Sequence, residues 1–225
     1  MSRRHVRAET TTARGLVLRR GVLGESDRQS VIYTDLYGKL PVRFMGVNRP
    51  LGKLKALSEP LALGEYRLHI REGAGGALCI GGALESVHVR LRADLPRLLR
   101  GMQVCELMDR LTPVAQPNLE KFQLALEALR ALEAAADEAS CDWVLIAFSL
   151  RLMEQAGYGV GELPVGREHR PLWESLHAAS FQEICALPAD PDRRGRLEGY
   201  LQRSVERLTE RPLHTLRMRA QVLAA

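Results

Sequence analysis

Val31-Ile32-Tyr33-Thr34-Asp35-Leu36-Tyr37-Gly38-Lys39-Leu40-Pro41-Val42-Arg43-Phe44 reads as two strands joined by a tight turn. The first four residues are β-branched or aromatic, types that suit a pleated, half-buried surface. Asp35 to Gly38 carries turn chemistry, and Leu40, Val42 and Phe44 then alternate with Lys39, Pro41 and Arg43. A period of two gives that second strand one apolar face and one partly basic face. Pro41 brings no ladder donor, so the strand begins late or lies at an edge.

Similar patterns flank this hairpin. Leu16-Val17-Leu18 is a short apolar run that Arg19 and Arg20 close. Further on, Tyr66, Leu68 and Ile70 oppose Arg67, His69 and Arg71, and Gly73-Ala74-Gly75-Gly76 supplies a hairpin loop into a strand over Ala77 to Ile80. About five short strands separated by glycine-rich turns predict a small closed or partly open barrel.

The pattern changes after Arg92. Asp94 can cap a helix with Pro96 in its first turn, and Leu98, Leu99, Met102, Cys105 and Met108 follow at helical spacing. Pro113 and Pro117 break the chain, and Phe122, Leu126, Leu129 and Leu132 mark a second helix. Asp142 reads as the N-cap of a third, Trp143 to Ala156, apolar nearly all round and closed by Gly157. Gly157 to Pro171 reads as loop. Helices are expected over Ser180 to Leu187, Asp190 to Thr209, and from near Pro212. The expected fold class is α+β, with a β-barrel over residues 1–85 and an α-helical domain over 86–225.

The formal charge is +5 over 225 residues, and it is unevenly spread. Residues 1–56 hold 12 Lys/Arg against 4 Asp/Glu, an asymmetry that points to an anionic partner such as nucleic acid. Cys79, Cys105, Cys141 and Cys185 are far apart in apolar surroundings and form no CxxC pair, which fits reduced, buried thiols and no metal site. With no secretory leader and no apolar run of spanning length, a soluble cytoplasmic protein without a membrane partner is expected.

Catalysis finds no support. Gly157-Tyr158-Gly159-Val160-Gly161 follows a helix instead of a strand and lacks the lysine of a phosphate loop. No HExxH pair or GxSxG elbow occurs, and Glu133, Asp137 and Glu138 read as solvated carboxylates. The expectation is a non-enzymatic protein without cofactor or metal.

The basic residues are more informative. Arg19, Arg20, Arg28, Lys39 and Arg43 come from the first three strands, and Arg49, Lys53 and Lys55 from the loop Gly46-Val47-Asn48-Arg49-Pro50-Leu51-Gly52-Lys53-Leu54-Lys55. Glycines there let backbone amides approach phosphates, and the cations neutralise them with release of counterions. These eight residues are the expected DNA-binding set. Charge reversal at Arg28, Lys39 and Arg43 together is expected to weaken DNA binding without unfolding. Of the barrel aromatics Tyr33, Tyr37, Phe44 and Tyr66, the last two are in phase with the apolar face and belong to the core. With so few stacking platforms, binding through phosphates would leave base edges free. The competing expectation is a barrel scaffold that binds RNA or protein without annealing strands.

At Leu23-Gly24-Glu25-Ser26-Asp27-Arg28, Tyr33-Thr34 and Tyr37-Gly38-Lys39, the sequence resembles the RecO family of recombination mediators. The basic loop matches at Gly46, Arg49 and Pro50, and Leu152-Met153-Glu154-Gln155-Ala156-Gly157-Tyr158 resembles the family's helix ending in Gly-Tyr. The resemblance implies an N-terminal OB-fold on a helical domain, ATP-independent binding of single- and double-stranded DNA, and annealing of complementary strands. It also implies partnership with RecR and with the acidic C-terminal tail of single-strand-binding protein, to help load the recombinase. Arg130 and Arg151 are candidates for the tail's pocket. The chain departs from the family in two places. Gly159 to Ala186 holds only Cys185 where many members carry a four-cysteine zinc ribbon, so no zinc is expected. Leu51-Gly52 stands where a Lys-Ser pair is common.

Overall fold

The computed structural model describes residues 8–49, 54–71, 75–158 and 170–223. Among these residues five strands come first: β1 (Ala8–Leu23), β2 (Asp27–Thr34), β3 (Gly38–Phe44), β4 (Leu63–Arg71) and β5 (Ala77–Ser86). They close in the order β1-β2-β3-β5-β4, with β4 returning to β1. All pairings are antiparallel except β3 with β5, which runs parallel over Val42–Phe44 against Ala77–Cys79. This is the OB-type barrel of the sequence reading. Pro41 sits one residue before the doubly paired segment, so its missing donor lies where β3 has only β2 beside it.

The strands are longer than expected. Arg19 and Arg20 do not end β1, which runs on to Leu23 after a register shift between Val17 and Arg19. That bulge keeps Val17 in the core while re-aiming the two arginines. The core comprises Val17, Ile32, Leu40, Val42, Phe44, Tyr66, Leu68 and Cys79 with their neighbours. Phe44 and Tyr66 meet edge to face at 6.4 Å within it, as their phase required. A 3-10 turn, Ala56–Ser58, lies beside β1, β2 and β5. The hairpin loop expected at 73–76 falls partly on residues 72–74, outside the described residues.

Among the described residues eight helices follow: α1 (Val89–Arg92), α2 (Leu95–Leu111), α3 (Leu119–Ala134), α4 (Glu138–Gln155), α5 (Arg170–Ala178), α6 (Phe181–Cys185), α7 (Pro191–Thr209) and α8 (His214–Leu223). The chain divides into two compact units, residues 1–88 with 112–122, and residues 89–111 with 123–225. Within the first unit, segment 112–122 covers one outer strip of the barrel. The Ala115 amide donates to the Lys39 carbonyl, and Phe122 stacks on Tyr33 at 6.3 Å. Gly38 permits this approach, since a Cβ there would lie 2.2 Å from the Gln116 carbonyl oxygen.

In the second unit, α4 is the buried central helix, but it begins a turn earlier than expected. Asp137, not Asp142, caps it by accepting from the Ser140 amide at 2.8 Å. Asp142 is instead a buried anion inside the helix, bridging Arg100 at 2.8 Å, Arg219 at 2.9 Å and Arg194 at 3.4 Å. A cap and a buried counter-ion look alike in sequence, because both place Asp before an apolar run. Glu138, read as solvated, pairs with Arg100. Helix α5 is an addition to the sequence reading, which ends its loop at Pro171, within the first turn of α5, and assigns no element to residues 172–179. The other expected helices appear, α6 with a capping box from Ser180 and Glu183, and α7 capped by Asp190.

Candidate nucleic-acid interface

Strand register sorts the barrel's basic residues by face, because opposed residues share a side of the sheet. Arg19 stands opposite Val31, and Val31 opposite Pro41. Arg43 stands opposite both Gln29 and Leu78, Leu78 opposite His69, and His69 opposite Thr10. Arg19 and Arg43 therefore project from the outer surface. Together Gln29, Pro41, Arg43, Met45, His69 and Leu78 line most of an open groove of about 480 Å³. Arg67, one step along β4 from the groove, is exposed on the same outer face.

Arg20, Arg28 and Lys39 stand elsewhere. Arg28 lies opposite Phe44 on the inward side, only 8% exposed. Its guanidinium donates to Ser58 Oγ at 2.8 Å, Glu59 Oε1 at 2.7 Å and Asn48 Oδ1 at 3.3 Å. Arg20 is exposed but turns to the same carboxylate, 2.9 Å from Glu59 Oε2. Lys39 lies opposite Tyr33, is 8% exposed, and sits on the strip that segment 112–122 covers. The structure therefore does not gather all eight cations on one face. Arg49 and Lys55 are exposed on either side of residues 50–53, and Lys53 falls outside the described residues.

Asp27 organises the groove's rim. One carboxylate oxygen accepts from the Gly46 amide at 2.9 Å, and the other from Arg43 at 2.6 and 3.0 Å. The Gly46 amide first, then Arg43 and the more distant charge of Arg49, hold this carboxyl below its ordinary range. The pair pins the start of the basic loop to β2, yet leaves the Arg43 side chain 53% exposed with donors to offer. The arrangement is a shallow outer groove with a cationic rim, suited to phosphates with apolar contact from Met45 and Leu78.

Sequence reasoning missed two kinds of residue. The alternation along β4 puts Arg67 and His69 on the polar face of their strand, and that phase is the signal that marks them as further members of the basic set. Glu59, which engages Arg20 and Arg28, gave no such signal, because it approaches through a turn 31 residues downstream of Arg28.

Of the two arginines considered in the helical unit, Arg151 is committed to structure. It donates to the Leu176 and Ala179 carbonyls and lies 4.9 Å from the Phe181 ring centroid, with burial lowering its pKa. Arg130 is exposed beside an open groove of about 540 Å³ lined largely by alanines, Phe181 and Cys185. Among the described residues no cluster of His, Cys, Asp and Glu could hold a metal ion, and no helix is long and apolar enough to cross a membrane.

The chain is similar to proteins named DNA repair protein RecO. The one from Bacillus subtilis is 32% identical over 127 residues, which is 56% of this chain and 49% of that protein. The Desulfitobacterium hafniense protein is 30% identical over 148 residues, 65% of this chain and 51% of its own length. An Exiguobacterium protein is 26% identical over 175 residues, 76% and 68% respectively. The matched region thus spans about half the length of the first two relatives. The model for the recombination protein O N terminus matches residues 8–77, which hold β1 to β4, and that for its C terminus matches residues 92–163, which hold α2 to α4. With the two halves of one family matched in order along an OB-type barrel and the helices after it, the chain belongs to the RecO family.

Proposed function

We propose that this protein acts in DNA repair and homologous recombination by binding single- and double-stranded DNA through the outer face of its barrel. It brings complementary strands together without nucleotide hydrolysis or a cofactor. The observation that carries this reading is the outer groove rimmed by Arg43, with Arg19, Arg49, Lys55 and Arg67 exposed on the same unit. The family's recombination models and the repair proteins it resembles support the same reading. Phosphate contact from an outer rim holds a strand while its base edges stay available for pairing.

In this reading the protein works in the cytoplasm, at the nucleoid during repair, with RecR and the acidic C-terminal tail of single-strand-binding protein as partners. Arg130 beside an alanine-lined groove offers a cation next to apolar surface, the chemistry an acidic tail with a hydrophobic end requires. Its role is to help load recombinase onto coated single strands, by binding and not by catalysis.

The test is a strand-annealing assay with two complementary oligonucleotides, one coated with single-strand-binding protein, without ATP. Acceleration over the uncatalysed rate is expected, and it should disappear when Arg19, Arg43 and Arg49 are neutralised. DNA binding without acceleration would reduce the protein to a passive scaffold. Preference for structured RNA over DNA would favour the RNA-binding alternative.

A further inference from the structure

Several arginines of the helical unit are tied down. Arg97, Arg100, Arg110, Arg194 and Arg219 all make ion pairs, at 2.6–3.4 Å. Beyond its first turn, where Arg193 and Arg194 are paired, helix α7 differs. Its Arg196, Arg203 and Arg207 are exposed, and among the described residues none has a carboxylate within ion-pair distance. With Tyr200 they fall at i, i+4, i+7 and i+11, a single stripe along the helix. The buried residues Leu197, Leu201 and Val205 mark a different face.

The carboxylates of α7 do not neutralise this stripe. Glu198 is drawn to Arg219 at 2.8 Å, and Glu206 accepts from the Leu213 amide at 3.1 Å and from Gln202 at 3.3 Å. Asp192 is exposed but sits in the first turn, where it favours the helix dipole. Three cations spread over about 16 Å of helix remain, the axial span of about five nucleotide steps of one strand.

We infer that this edge of α7 is a second nucleic-acid contact surface, separate from the barrel groove, which takes the phosphate backbone without reading bases. The inference rests on the DNA-binding reading and adds to it, since an annealing protein has two strands to hold. Spacing along a rigid helix favours a polyanion of regular repeat.

The experiment compares the full chain with a triple variant, Arg196→Ala, Arg203→Ala and Arg207→Ala, by anisotropy of labelled oligo-dT across a salt titration. Loss of three phosphate contacts should lower the log–log salt slope by about 2, while the circular dichroism melt stays unchanged. Should the triple variant fail to fold, Arg203→Ala alone should lower the slope by about 0.7. An unchanged slope with wild-type binding intact overturns the inference and leaves the barrel reading standing. A wild-type protein that does not bind oligo-dT overturns both. Retention of the DNA slope with loss of binding to poly-glutamate would mark an acidic-protein site and overturn it as well.

Discussion

Replacing Arg28 by alanine should destabilise the barrel while replacing Arg43 should not, although the sequence presents the two as equivalent basic strand residues. Arg28 donates to Ser58, Glu59 and Asn48 from a side chain that is 10% exposed. Breaking a fully buried pair costs about 3–5 kcal/mol. Glu59 keeps partial solvent contact and retains Arg20, so it is not left as an isolated buried charge. The cost is therefore nearer that of lost charged hydrogen bonds, about 2 kcal/mol. Arg43 has one carboxylate partner among the described residues and a largely exposed side chain, so Arg43→Ala should fall within about 0.5 kcal/mol of wild type. Both tryptophans, Trp143 and Trp173, lie in the helical unit, so indole fluorescence does not report on the barrel. Amide exchange read on peptides from β2 and β3 does. A loss of about 2 kcal/mol should speed exchange about thirtyfold where those amides open with the barrel. Unchanged protection in Arg28→Ala with abolished DNA binding would refute this reasoning and make Arg28 a ligand contact. The triple reversal of Arg28, Lys39 and Arg43 therefore mixes folding with binding, because two of the three are buried.

Three further outcomes follow from single contacts. Gly38→Ala should cost about 2 kcal/mol or more in a barrel exchange measurement. It joins a left-handed φ of 64° to a clash with the Gln116 carbonyl. Asp27→Asn removes the carboxylate that competes for Arg43, so oligonucleotide affinity at low salt should rise several-fold by anisotropy, whereas a fall would show that pinning Gly46 matters more. Burial would raise the Glu106 pKa, but hydrogen bonds from the Thr215 hydroxyl and amide and the His214 amide, with the charge of Arg110, outweigh it and hold it down. A depressed carboxylate contributes stability that is present above its unfolded value, about 4.3, and lost as pH falls through the folded one. An acid melt followed through α8 amides should show this loss, and Glu106→Gln should reproduce it at neutral pH.

The barrel was legible because its code is local. Period two in 40–44 and 66–70, turn residues at 35–38 and glycine at 75–76 fixed strands that the register confirms. The face of each arginine was less legible. The bulge after Val17 changes the phase of β1, so Arg19 points out and Arg20 toward Glu59, and no alternation rule anticipates an inserted residue. Burial of Lys39 and Tyr33 comes from segment 112–122, distant in sequence and read there only as a proline break. The misplaced cap at Asp142 has a similar origin, since its three arginines arrive from α2, α7 and α8.

The central claim is that the barrel's outer cations hold DNA by its phosphates. Binding of single-stranded and duplex oligonucleotides across a salt titration, for wild type and for Arg19→Ala, Arg43→Ala and Arg49→Ala combined, tests it most directly. The account predicts a variant with native exchange protection in β2 and β3, weaker binding to both DNA forms, and a salt slope lowered by about 2 to 3. Equal affinity and equal slope in the two proteins would contradict it.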